Sequence, residues 1–87
     1  MKEDLDKRDD MSYLQTAGRA LSILKMFRQE NTLSLPAIAS GLGVGKTIAY
    51  RLVHTLMTEG FLVQDPLTKQ YSLGEQVLLL GFCAVQR

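Results

Sequence analysis

From residue 16 onward apolar side chains recur every three or four positions through three successive segments, and then the rhythm changes. In residues 16–29, Ala17, Ala20, Leu21, Leu24 and Phe27 gather on one side of a helix wound at about 100° per residue. They form the expected core stripe, and Ile23 and Met26 fall off it, leaving apolar surface for a partner subunit. Thr16 is the expected N-cap, because its hydroxyl can accept an orphan amide of the first turn. Residues 35–42 predict a second, shorter helix. Ser34 can cap it, Pro36 fits a first turn where a missing amide proton costs nothing, and Ile38, Ala39 and Leu42 form its buried side. The run Gly41-Leu42-Gly43-Val44-Gly45 then breaks the chain tightly. A third helix follows over 46–59, with Ala49, Leu52, Val53 and Leu56 at i, i+3, i+4 and i+7, ending at Gly60.

Past Gly60 the period shortens. Phe61-Leu62-Val63-Gln64 and Gln70-Tyr71-Ser72-Leu73 predict two short strands around the turn opener Asp65-Pro66. Strands this short are marginal alone and must lean on the helices. Residues 75–87 predict a last helix that is apolar nearly all round, with Val77, Leu78, Leu79, Leu80, Phe82, Ala84 and Val85. An exposed helix of this kind is a liability in a monomer, so it is expected to bury against a second subunit or a further domain.

Two helices joined by a tight turn, and then a hairpin, form a winged helix-turn-helix. The steep crossing of the helices explains small Ala39 where they approach and Gly43 in the turn. The expected fold class is therefore mainly α with a small β-hairpin: a three-helix core and a two-stranded wing over 12–74. A polar tail over 1–11 precedes it, and a linker helix over 75–87 follows.

On the third helix, Thr47, Arg51, His54 and Thr58 lie opposite the core stripe, flanked by Tyr50 and Thr55. A DNA major groove admits one helix, whose outward side chains must donate and accept hydrogen bonds at base edges. Base contacts concentrate near the N-terminal end of such a helix, which singles out Lys46, Thr47, Ile48, Tyr50 and Arg51. Arg51 can grip a guanine with two hydrogen bonds, and Thr47 can bond a phosphate or a base. His54, the only histidine, has no nearby acid or cysteine to make a metal site. It is a solvated surface residue or a phosphate contact. At the wing, Lys69 and Gln70 stand at or near the tip, with Thr68 beside them, and can touch the sugar-phosphate backbone or the minor groove. A merely solvated hairpin tip is the alternative. Ser34, at the start of the second helix, completes the candidate contacts.

Charge sharpens the picture only after it is divided. Residues 1–10 carry five acids against three bases, a balance of −2; the remainder carries seven bases against four acids, or +3. That weak positive balance suits a nucleic-acid partner. Cys83 is the only cysteine, which excludes an internal disulfide and a cysteine-rich zinc site. No apolar run approaches the roughly 20 residues of a membrane span. A cytoplasmic chain with no membrane partner, metal or cofactor is expected. One cysteine, one histidine and no carboxylate cluster offer no nucleophile–base pair, so an enzyme is a poor reading. A winged domain kept for protein assembly, with DNA binding lost, remains a second reading, supported by the apolar last helix.

The residues resemble the IclR-type transcription regulators. The likeness rests on Arg19-Ala20-Leu21-Ser22-Ile23-Leu24, Leu35-Pro36-Ala37-Ile38-Ala39, Gly43-Val44-Gly45-Lys46-Thr47 and Tyr50-Arg51-Leu52-Val53-His54-Thr55-Leu56. It continues through Glu59-Gly60-Phe61-Leu62, Tyr71-Ser72-Leu73-Gly74 and Leu80-Gly81, covering roughly residues 14–81. The resemblance implies an N-terminal winged domain, a linker helix and a C-terminal effector-binding domain that lies outside this sequence. It implies double-stranded DNA as partner, a homodimer through the first helix and the linker helix, and a small-molecule effector bound only by that further domain. It also makes Arg19 a phosphate contact. Gly45 stands where the family often has proline, Thr47 where serine is frequent, and Val63, Gln64, Gln70 and Ser72 where basic residues are common. A wing with weaker phosphate affinity is therefore expected.

Overall fold

The hydrophobic spacing places four helices and a hairpin along the chain, and the computed structural model, which describes residues 11–86, contains them in that order. They are α1 (Gln15–Met26), α2 (Leu35–Leu42), α3 (Lys46–Thr58), β1 (Leu62–Gln64), β2 (Tyr71–Leu73) and α4 (Glu75–Ala84). The tail expected over 1–11 lies outside the described residues except for exposed Met11, and so does Arg87.

One core joins every element but α4. Ile23 from α1 and Phe27 at its C-cap, Ile38 from α2, Leu52, Val53 and Leu56 from α3, and Leu62 and Tyr71 from the hairpin form a single buried cluster. Among the described residues, no polar or charged side chain is buried in it apart from the phenol of Tyr71. Among side chains the core is thus held chiefly by apolar burial, at about 1.5–3 kcal/mol per large side chain.

Helix α1 departs from the sequence expectation in its rotation and its ends. Ile23, expected to face a partner, is 0% exposed, and Met26 packs against the core; Leu21, expected inside, is 58% exposed, with Ala17 also outside. Apolar residues at 17, 20, 21, 23, 24, 26 and 27 circle most of the helix, so spacing leaves its rotation undecided. Docking against α2 and α3 decides it. The N-cap is Leu14, without a side-chain bond, rather than Thr16. The amide of Gly18 already donates to Leu14 O (3.0 Å), which places Thr16 inside the first turn. At the other end the amides of Phe27 and Arg28 donate to Leu24 O and Lys25 O (both 3.1 Å), a tightened turn that stops the helix before 29.

The helix-turn-helix follows the sequence closely. Ser34 caps α2 by accepting the Ala37 amide at 3.2 Å, with Pro36 in the first turn. Gly43 closes α2 in the left-handed conformation (φ 73°), and Val44 N donates to Ala39 O and Gly43 N to Ser40 O, both at 3.1 Å. Helix α3 ends the same way: Gly60 has φ 86°, Phe61 N donates to Leu56 O (2.8 Å) and Gly60 N to Met57 O (3.0 Å). Both are Schellman closures. Each needs glycine, since an L side chain in that conformation costs about 1–2 kcal/mol.

The hairpin is antiparallel, pairing Leu62 with Leu73, Val63 with Ser72 and Gln64 with Tyr71. Leu33, in the α1–α2 connection, adds a bridge to β2: Leu33 N donates to Tyr71 O (3.0 Å) and Tyr71 N to Leu33 O (2.8 Å). This bridge, with Tyr71 and Leu62 buried in the core, ties the wing to the helices. Helix α4 has no buried residue at all.

Candidate nucleic-acid interface

Burial of Ala49, Leu52, Val53 and Leu56 fixes which way α3 faces. Because that stripe is inside, Lys46, Thr47, Ile48, Tyr50, Arg51 and His54 are all exposed. Gly45 opens the helix without a side-chain cap, and no acid stands in the first turn. Orphan amides at a helix start carry partial positive charge, and Lys46 adds a full one beside them. This end of α3 is suited to an anion or to hydrogen-bond acceptors.

Along the exposed face the hydroxyls divide. Thr55 and Thr58 donate to the carbonyls of Arg51 and His54, each at 2.9 Å, so they serve the helix itself. The Tyr50 and His54 rings stack, with centroids 5.9 Å apart and planes 21° from parallel. No metal cluster involves His54: among the described residues no group of three His, Cys, Asp or Glu side chains is placed to hold an ion.

The fold brings Arg19 and Arg51 together across α1 and α3. A cleft of about 310 Å³ is lined by Thr16, Arg19, Ile48, Arg51, Leu52 and Thr55. Two guanidiniums and the Thr16 hydroxyl around an open cleft suit a phosphate group, while Thr55 keeps its proton on the Arg51 carbonyl. All of α2 lies between these arginines in sequence, so periodicity gives no sign that they share a surface.

Ser34, half-buried, spends one lone pair of its hydroxyl on the α2 cap. The wing tip is the turn at 66–68, with Lys69 exposed just past it and Gln70 half-buried at the foot of β2. Lys69 has φ 66°, the only positive φ at a non-glycine position among the described residues. Leu67 is 90% exposed. Two features escape the sequence pattern. Asp65 organises the turn, accepting the amides of Leu67 (2.7 Å) and Thr68 (3.1 Å), which hold its carboxyl below the usual range. Tyr71 lies buried where the wing meets the helices: burial pushes its phenol above the usual range, and Tyr50 of α3 pushes in the same direction.

Comparison with known proteins agrees with this architecture. Residues 16–66 match the IclR helix-turn-helix domain. The glycerol operon regulatory protein of Streptomyces coelicolor is 39% identical over 69 residues, covering 78% of this chain and 27% of that protein. The HTH-type transcriptional regulator XynR of Escherichia coli is 32% identical over 76 residues, covering 86% of this chain and 30% of that protein. The crystal structure of an IclR family transcriptional regulator from Brucella abortus superposes with a TM-score of 0.80 at 35% identity, over 90% of this chain and 30% of that one. The chain thus spans under a third of the length of these relatives. Matched over residues 16–66 and superposed over nine-tenths of its length, it belongs to the IclR family.

Proposed function

We propose that this chain is the DNA-reading domain of an effector-responsive transcription regulator and binds double-stranded DNA in a sequence-specific manner. The observation that carries this reading is the exposed, uncapped start of α3, where Lys46, Thr47, Ile48, Tyr50 and Arg51 project from a helix whose opposite face is core. In the proposed complex that end of α3 enters the major groove, with Arg51 and Thr47 at base edges and Tyr50 and His54 toward the backbone. Arg19, across the cleft, takes a phosphate, and the Ser34 hydroxyl does the same at the start of α2. Lys69 and Gln70 bring the wing onto the backbone or into the minor groove.

A dimer completes the proposal. Leu14, Ala17 and Leu21 expose one side of α1, and Leu78, Leu79, Leu80, Phe82 and Val85 are exposed on and just past α4. These surfaces support a homodimer through the first and last helices. Two copies of α3 then reach successive major grooves about 34 Å apart on a palindromic operator. Helix α4 would be the linker toward an effector-binding domain, in keeping with relatives more than three times as long as the matched region. The proposed regulator is cytoplasmic and represses an operon; the printed names of the relatives support the regulatory part, an operon regulatory protein and a transcriptional regulator, and no helix among the described residues is long and apolar enough to cross a membrane.

The test is selection of bound sites from random duplexes. Enrichment of a sequence with two inverted half-sites about one helical turn apart is the expected result. Binding that stays weak and sequence-blind at moderate salt would favour the assembly reading, in which the exposed leucines of α4 are the functional surface.

A further inference from the structure

The wing turn converges on Asp65. Between β1 and β2 the backbone must reverse through residues 65–70, and its amides, though open to water, find acceptors within the turn. Pro66 has no amide proton. The next three amides all donate to one residue: Leu67 and Thr68 to the Asp65 carboxylate (2.7 and 3.1 Å), and Lys69 to the Asp65 carbonyl (2.8 Å). The Asp65 amide itself donates to Gln70 O at 2.9 Å, closing the loop. Two side chains brace the returning arm: Gln70 N donates to Thr68 Oγ1 (3.2 Å), and Gln64 Nε2 donates to Lys69 O (3.2 Å).

Lys69 makes this arrangement informative. Its backbone is left-handed, a conformation that an L residue adopts at a cost. A free, solvated loop would relax it. The Asp65 bonds, with the Gln64 amide on the Lys69 carbonyl, hold it, and the Lys69 side chain is exposed. Asp65 also places a negative charge beside a surface expected to meet phosphates, which would by itself weaken binding. Its carboxyl is held below the usual range by the same two amides, so the acceptor stays ionised and bonded at neutral pH.

We infer that Asp65 is the positioning residue of the wing, presetting the turn so that Lys69 meets the DNA backbone without ordering a loop on binding. The inference rests on the proposed DNA reading. Its chemistry requires a hydrogen-bond acceptor at position 65 and does not require a charge. Asn presents the same Oδ1 to Leu67 and Thr68; Ala presents nothing.

The experiment measures the affinity of the purified chain for a duplex recovered by selection, across a range of salt. It compares the wild type with Lys69→Ala, Asp65→Ala, Asp65→Asn and the Asp65→Ala/Lys69→Ala double variant. Lys69→Ala is expected to lower the slope of log affinity against log salt by about one, a three- to fourfold change between roughly 50 and 200 mM. Asp65→Ala should lower it equally, with no further loss in the double variant. Asp65→Asn should keep the wild-type slope and bind as tightly or tighter. Amide exchange at Leu67 and Thr68 should speed up in Asp65→Ala and not in Asp65→Asn. Tighter binding by Asp65→Ala with an unchanged slope would overturn the inference, because the carboxylate would then only repel DNA. Asn behaving like Ala would overturn it too. If Lys69→Ala itself leaves the slope unchanged, the wing is no contact and the inference falls with that part of the DNA reading. A selection that enriches nothing points instead to failure of the DNA reading as a whole.

Discussion

Helices α3 and α4 have similar lengths and plenty of apolar residues, yet one buries four side chains and the other none. In α3 the apolar positions fall on one face, so the helix docks by itself and presents a defined polar face outward. In α4 they run all round, and among the described residues nothing buries them. The number of apolar residues in a helix therefore says little; their distribution decides whether its partner lies within the chain or beyond it. The first helix stands between the two. Its apolar residues nearly encircle it, but α2 and α3 claim the side bearing Ile23 and Phe27, and the side bearing Leu14, Ala17 and Leu21 is left open.

Parallel truncations would break or sharpen this contrast. Leu56→Ala on α3 opens the core cluster and is expected to destabilise the chain by about 2–5 kcal/mol in denaturant unfolding. Leu78→Ala on α4, at concentrations where the chain is monomeric, should change stability by less than about 0.5 kcal/mol. A loss at Leu78 comparable with that at Leu56 would mean that α4 packs within the chain. Sedimentation at higher concentration then asks what α4 is for: Leu78→Glu should weaken self-association while leaving the helical signal in place.

Much of this molecule is legible in its sequence where a residue has a single mechanical meaning. Pro36 after Ser34 marks the start of α2, left-handed Gly43 and Gly60 mark two helix ends, and the clean four-residue stripe of α3 fixes its rotation. Legibility fails where an outcome depends on what packs against what. The rotation of α1 needed its neighbours, and so did its start at Gln15, because Thr16 is an acceptable cap only if the helix begins after it. The Leu33–Tyr71 bridge is a one-residue pairing, too short to leave a periodic trace. The shared cleft of Arg19 and Arg51 is a product of the α1–α3 packing. At the wing the Asp-Pro pair signals a turn but not the left-handed Lys69 or the three amides converging on Asp65.

The outward face of α3 is the central claim, and Arg51 tests it most directly. Affinities of the wild type and Arg51→Ala should be measured side by side for a selected duplex and for the same bases scrambled. The variant is expected to lose about 1–3 kcal/mol on the selected duplex, roughly five- to 150-fold, and much less on the scrambled one, with preference relaxed at one base pair. If both duplexes lose affinity equally, or neither does, Arg51 reads no base and this face of the helix is not where sequence is recognised.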